Sequence, residues 1–472
     1  MMLRIAVPGY VASAALAVLL SACASAPKYE RPAVQTPSAY KDAGDWKVAQ
    51  PRDDIQRGKW WEIFGDARLN SLMEQIDISN QNVRIAEAQY RQARALAQQA
   101  RSGLLPRVSG DVSVGRAASR SGVNNDYNLS LDAAWEADVW GRVSSSVAAG
   151  AAGAQAGAAQ VEAVRLSAQG EMALNYFQLR VLDVQRRLLE ESAAAFQKSL
   201  DLTRNRYAAG VAGRVDVVQG ETQLKSTQAL ALDVGVQRAQ LEHAMAVLSG
   251  KVPGEFALAP EATKLGMPAI PSSVPSELLE RRPDIAAAER RVAAANAQIG
   301  VAKAAYFPSL GLSASGGFQS SSFTNWLTVP SRVWALGAAL AQTIFDGGLR
   351  RAVTDQAVAA YDANVAAYRL TVLGGFQEVE DNLAALRILE QESRVQDEAV
   401  QAARQSVELT LNQYKAGTVS YLNVVVAQTA LLTNERTAAG LLGRRLAAAV
   451  SLVKALGGGW TSTQISQAGS IR

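Results

Sequence analysis

The sequence predicts a mostly α protein with a small β part, internally duplicated, with long antiparallel coiled-coil hairpins and two pairs of amphipathic strands. Three observations predict this class. The 14 prolines avoid two long stretches, residues 107–252 and 331–472, where regular elements run without a residue that ends helices or removes ladder donors. The segment Ser199-Leu200-Asp201-Leu202-Thr203-Arg204-Asn205-Arg206-Tyr207-Ala208-Ala209-Gly210 returns as Ser406-Val407-Glu408-Leu409-Thr410-Leu411-Asn412-Gln413-Tyr414-Lys415-Ala416-Gly417, an offset of 207. The apolar period also changes from 3.5 to 2 just after Pro106 and again after Pro308.

Composition narrows the function. With 472 residues the chain exceeds one ordinary domain. Its 47 Lys+Arg nearly balance 43 Asp+Glu, and no basic block stands out, which argues against nucleic acid as a partner. One Cys and one His exclude disulfide frameworks, Cys/His zinc sites and Cys–His catalysis. His243 lies in a helical heptad region, and Glu378, Glu380 and Asp381 read as a solvated face or ion-pair ladder. There is no phosphate-binding glycine loop, nucleophile elbow or metal-ligand spacing, so no enzyme, metal or cofactor is expected.

From the N-terminus, Arg4 precedes an apolar run over residues 5–20, the pattern of a secretory signal. It closes in Leu20-Ser21-Ala22-Cys23, which resembles the bacterial lipobox. Cys23 is thus expected to become the first mature residue, carrying diacylglycerol and an N-acyl chain, enough for durable attachment to membrane lipid. Residue 24 is Ala rather than Asp, so outer-membrane sorting of a lipid-anchored protein is expected. The predicted organisation is a signal peptide (1–22), an acylated extended segment (23–58), a first structural repeat (59–252), an inter-repeat linker (253–274), a second repeat (275–460) and a flexible tail (461–472).

Each repeat has one plan. A helical stretch (66–105, or 284–306) ends at proline. Two strands follow, then a helix of roughly 100 Å (143–207, or 349–414), a Gly-containing turn and a second helix (216–250, or 422–456). The second helices share a 3–4 seam: Val217, Gly220, Leu224, Thr227, Ala231, Val234, Arg238, Leu241, Met245 and Leu248 each have a counterpart 207 positions on. In the first strand pair Val108, Val112 and Val114 alternate with polar residues, and after a polar loop (116–126) so do Tyr127, Leu129, Leu131 and Trp135. In the second pair Leu310, Leu312 and Phe318, then, beyond a loop (319–332), Trp334, Leu336 and Leu340, keep the alternation. Ten-residue strands with one apolar face suit a transmembrane barrel, although the pattern alone also allows soluble hairpins capping a coiled coil. Four strands cannot close a barrel, and a bilayer tolerates no open edge. Two copies would make a filled eight-stranded barrel; three would make twelve strands around a wet lumen. The polar inner face favours a homotrimer.

The ordered motifs resemble those of TolC-like outer-membrane efflux channels, specifically the lipoprotein branch of OprM/NodT type. The matches are Tyr29-Glu30-Arg31-Pro32, Trp60-Trp61, Phe64-Gly65-Asp66, Asp138-Val139-Trp140-Gly141-Arg142, Leu279-Glu280-Arg281-Arg282-Pro283-Asp284-Ile285, Phe345-Asp346-Gly347-Gly348, Gln377-Glu378-Val379-Glu380-Asp381 and Ala455-Leu456-Gly457-Gly458-Gly459-Trp460. The resemblance implies a trimeric α/β-barrel channel in the outer membrane of a Gram-negative bacterium, with a helical tunnel across the periplasm and a belt built from the linker and the C-terminal region. It further implies docking to a periplasmic adaptor (membrane fusion protein) and to an inner-membrane resistance-nodulation-division pump, and passive conduction of exported compounds. By the resemblance the gate lies at the hairpin turns, 207–216 and 414–422. There Val215 and Leu422 would form an apolar ring, Arg206 and Asp216 a closing pair, and Tyr421 a cross-gate hydrogen bond beside Tyr207 and Tyr414. The chain departs from the family where Val426 replaces a common Asp and Gln413 a common Arg. The residues also admit an adaptor or structural coiled-coil lipoprotein, or a channel of this fold for polypeptides, and do not name the cargo.

Overall fold

The computed structural model describes residues 27–41 apart from 35 and 38, 59–261 apart from 121, 266–268 and 281–458. The signal peptide, Cys23, part of the linker (262–265 and 269–274) and the tail with Trp460 lie outside the described residues. Helices α1 (Ala67–Ser79) and α2 (Gln81–Ser102) lead to β1 (Arg107–Ser119) and β2 (Gly122–Ala137). Then come α3 (Arg142–Ala208) and α4 (Arg214–Leu248). The second half runs α5 (Pro283–Ala304), β3 (Ser309–Ser320), β4 (Arg332–Ala341), α6 (Leu349–Lys415) and α7 (Tyr421–Ala455). Both boundaries of α3 and of α4 recur 207 positions later in α6 and α7, so the duplication holds to the residue. The long helices have 67 residues each, or about 100 Å.

The stretch 66–105, expected as one helix, is two. Asn80 adopts an extended backbone, its Oδ1 accepts from Val83 N at 3.1 Å, and its Nδ2 donates to Leu248 O at 2.7 Å. An Asn that both starts a helix and ties it to the end of α4 competes successfully with helix propensity. The second repeat builds the same junction with different chemistry: Arg282 Nη1 reaches Ala455 O at 3.3 Å. Glycine completes both. Gly250 and Gly457 have φ of 67° and 93°, and a Cβ on them would sit 2.2 Å from Ser79 O and 2.1 Å from Arg281 O. Only glycine fits.

The sheet order is β1-β2-β3-β4, all antiparallel. The register puts Val112 opposite Leu129, Leu129 opposite Phe318, and Trp135 opposite Leu312, which stands opposite Ala338. One apolar face therefore runs across all four strands, while Asp111, Ser130, Ser313 and Ser315 share the other. Val108, Leu131, Trp334, Leu336 and Leu340 on the apolar face are exposed. Aromatic clusters bracket this face, with Tyr127, Phe323 and Trp326 at one end and Trp140 stacked on Phe307 at 4.9 Å at the other. From Tyr127 to Trp135 is about 26 Å along the strand, of the order of the apolar band of a barrel wall. The expected loop 116–126 is mostly paired strand: Gly115↔Asp126 through Ser119↔Gly122 extend the hairpin past the aromatic end, where polar side chains on both faces suit water. Among the described residues no helix is long and apolar enough to cross a membrane.

Beside the sheet, helices pack in the order α2–α3–α5–α6; further along, the order is α4–α3–α7–α6. Several of the sequence motifs meet at the waist between these halves. Trp60, Trp61 and Phe64 pack with Met172, Tyr176 and Phe177, and Tyr176 donates to Asp66, the N-cap of α1, at 2.6 Å. Gly458 abuts Leu166 and Trp60. Arg282 binds Asp284 at 2.7 Å and Glu378 at 2.6 Å, and Lys41 N donates to Glu380 at 2.7 Å. Of the carboxylates expected on a solvated face or ion-pair ladder, Glu378 and Glu380 each take a partner at the belt, while Asp381 stays exposed and accepts from Gln377 one turn earlier. A buried ion cluster fastens the linker: Asp183 receives Arg180 at 3.2 Å and Arg238 at 2.7 Å, and Arg180 donates to Ala259 O at 2.9 Å. A buried pair this well hydrogen-bonded fixes geometry more than it adds stability. Its seam counterpart Arg445 has a buried Nε with no partner among the described residues.

Candidate functional site

The two hairpin turns lie side by side at the end of the shaft remote from the sheet. Each helix ends in a left-handed glycine, Gly210 (φ 75°) and Gly417 (φ 80°), with Val211 N on Arg206 O at 2.8 Å and Thr418 N on Gln413 O at 3.0 Å. These are Schellman-type caps, which satisfy the last carbonyls and reverse the chain tightly. Asp216 closes the start of α4 by accepting from Gly213 N at 3.2 Å.

The expected partners pair differently. Arg206 does not bind Asp216 within the chain: it crosses to the other hairpin, donating to Tyr414 O at 3.0 Å and Lys415 O at 3.2 Å with its guanidinium 4.8 Å from the Tyr414 ring. The last carbonyls of α6 carry partial negative charge and accept from the guanidinium, while Asp216 is engaged in closing the start of its own helix. Tyr414 is buried, while its counterpart Tyr207 is 45% exposed. Tyr421, also buried, packs 5.5 Å from Tyr414 in a cluster with Val424. Its hydroxyl faces Gly220 of α4, where a Cβ would come within 2.9 Å. Burial, with Tyr414 and Asp216 nearby, pushes the Tyr421 hydroxyl up to about 12, so it stays protonated and neutral near pH 7.

Three residues that the sequence reading did not single out complete the tie. Thr203 Oγ1 lies 3.1 Å from Tyr414 Oη, and Gln428 Nε2 donates to Ser199 Oγ at 3.0 Å. Ser199, Thr203 and Arg206 are spaced i, i+4, i+7 and form one polar stripe of α3 toward the second hairpin. That spacing was readable in the sequence. Val215 and Leu422, related by the repeat, are 62% and 50% exposed, as is Val426 at 61%. His243 is exposed on α4.

An apolar-faced sheet continuous with a long helical shaft, ending in two stapled turns, defines a membrane transport component. The chain belongs to the outer membrane efflux protein family, whose sequence profile matches residues 72–251 and 274–458. It is similar to the toluene efflux pump outer membrane protein TtgC of Pseudomonas putida, at 29% identity over 458 residues, 95% of each chain. It is likewise similar to the pyoverdine export outer membrane protein OpmQ of Pseudomonas aeruginosa, at 30% identity over 463 residues, 94% of this chain and 96% of that one. The solved outer-membrane channel OprN superimposes with a TM-score of 0.85 at 29% identity, covering 93% of this chain and all of that one.

Proposed function

We propose that three copies of this chain close into an outer-membrane channel, the exit duct of a tripartite efflux pump, with no catalytic chemistry of its own. The sheet carries this reading: its apolar face needs lipid, yet β1 and β4 are its terminal strands. Within a bilayer each unpaired backbone group costs several kcal/mol, so the edges must find each other on sibling chains. Twelve strands leave room for water behind the small and polar face. The helices support the same closure. In one chain α3 packs on α5 beside the sheet and on α7 further down. Its repeat counterpart α6 has one flank covered and the other open, which α2 and α4 of the next copy fit by the same packing.

The shaft then spans the periplasm toward a periplasmic adaptor and an inner-membrane resistance-nodulation-division pump, which supplies the energy. Val215 and Leu422 line a dry constriction at the tip, and the tie among Arg206, Thr203, Tyr414 and Tyr421 holds the two hairpins of a copy together in the closed state. Relatives named for toluene and pyoverdine export favour small molecules as cargo. Acylation of Cys23 anchors the assembly to lipid. The test is conductance in planar bilayers: the wild type is expected to pass little current and Leu422→Gly several times more. A Leu422→Gly channel no more conductive than wild type overturns the gate. Protein that fractionates away from the outer membrane and shows no heat-sensitive oligomer on gels overturns the channel.

A further inference from the structure

We propose that the groove where α3 leaves the sheet is the seat of the protein's own lipid anchor, receiving the diacylglyceryl group on Cys23. The inference rests on the acylation of Cys23 proposed above and adds a binding site to it. The groove is a cavity of about 670 Å³ between the first turns of α3 and the second half of α5. Small side chains, Ala148, Ala152 and Ala297, line its walls and leave an apolar trough that a flexible hydrocarbon chain can follow. Its mouth holds Trp140, whose ring stacks on Phe307 at the aromatic end of the apolar sheet face, the level of a membrane interface.

Two observations point to this occupant. Pro27 lines the groove, and its carbonyl is pinned by Asn296 Nδ2 at 2.9 Å. Cys23 is four residues upstream, a backbone reach of at most about 14 Å, and a group tethered at such range meets the groove at high effective concentration. The second is Ser145. It is 4% exposed, lines the groove, and its Oγ is buried without a hydrogen-bond partner. A buried hydroxyl without a partner is costly. The neighbouring charges are already engaged, Asp138 by Val143 and Ser144, and Arg290 by Glu289 and the ring of Tyr29. Ser145 is left to donate to an acceptor from outside, and the ester carbonyls of a diacylglyceryl group are acceptors on an otherwise apolar body.

Cells producing the full chain are fed a fatty acid bearing a photoactivatable diazirine, and isolated outer membranes are irradiated and digested for mass spectrometry. Cross-links on peptides containing 144–152 of α3 and 293–297 of α5 are expected, with their loss in Ala148→Phe, which fills the groove at an exposed position, and in Cys23→Ser. Groove cross-links that persist in Cys23→Ser identify a free membrane lipid and overturn the anchor as occupant. An acylated Cys23 whose chains mark none of these peptides overturns this inference alone. An unmodified Cys23 in the wild type overturns the anchor itself, and the seat with it.

Discussion

Arg206 changes the picture of how the two hairpins are joined at the tip. A guanidinium that both caps the last carbonyls of α6 and covers the Tyr414 ring ties one hairpin to the other without using the acidic residue across its own turn. Arg206→Ala should remove about 1–2 kcal/mol of closed-state preference, roughly tenfold in the open–closed ratio, read as raised single-channel open probability in planar bilayers. Asp216→Ala should instead fray α4 locally and move conductance far less. The repeated turn motif drew attention to these residues in the sequence; the bond from Arg206 to the end of α6 was not legible there, because charge complementarity does not say which carbonyls a helix end leaves free. Asp138 offers a titratable check at the other end of α3. Burial opposes its charge, but hydrogen bonds from Ser144 and from the amide of Val143, at a helix start, outweigh it and hold the carboxyl below its ordinary value. A depressed folded value means the contribution is complete above about pH 4 and fades as the pH falls further. Asp138→Asn should therefore unfold at lower temperature near neutrality, by the order of 1 kcal/mol, and the gap from wild type should narrow in acid.

Among the elements, the strands show what periodicity can and cannot tell. Alternation gave the lipid face correctly across all four strands, and the register carries it without a slip. It missed the outer half of the first hairpin, since past Tyr127 neither face is apolar and a paired strand in water leaves no period-2 signal. The break at Asn80 escaped for a different reason: the apolar pattern continues through it, and only the contact with Leu248 O reveals the junction. Two substitutions in neighbouring positions test the face assignment. Leu131→Arg places a cation on the apolar side at a cost of about 2–4 kcal/mol near mid-membrane and should abolish heat-stable assembly in the outer membrane. Ser315→Arg, on the other face of the same sheet, should assemble normally and alter ion selectivity of the pore. Gly457→Ala, with a carbonyl 2.1 Å from the new methyl, should cost several kcal/mol at the second junction, visible as loss of folded protein from the membrane fraction.

At the scale of the molecule, the duplication makes one interface a template for another. β3 lies 202 positions after β1, and β4 lies 207 after β2, so the in-chain pair Ala133↔Ala314 corresponds to Leu340 of one copy beside Val112 of the next. Chains carrying Val112→Cys and Leu340→Cys together should give a ladder of covalent dimer and trimer on oxidation. Moving one cysteine to Ser113 points it to the opposite face and should abolish the ladder. The need for sibling chains was legible in the sequence as a problem in closure, four strands being too few. Which flank of which helix meets the neighbour was not, because it depends on packing order and no residue announces it. An assembly with an open margin on either side of every copy has a genetic consequence as well. A chain with one spoiled margin still engages healthy siblings through its sound one, so such an allele should poison wild-type complexes in a mixed cell, whereas an allele that fails to fold is merely absent and recessive.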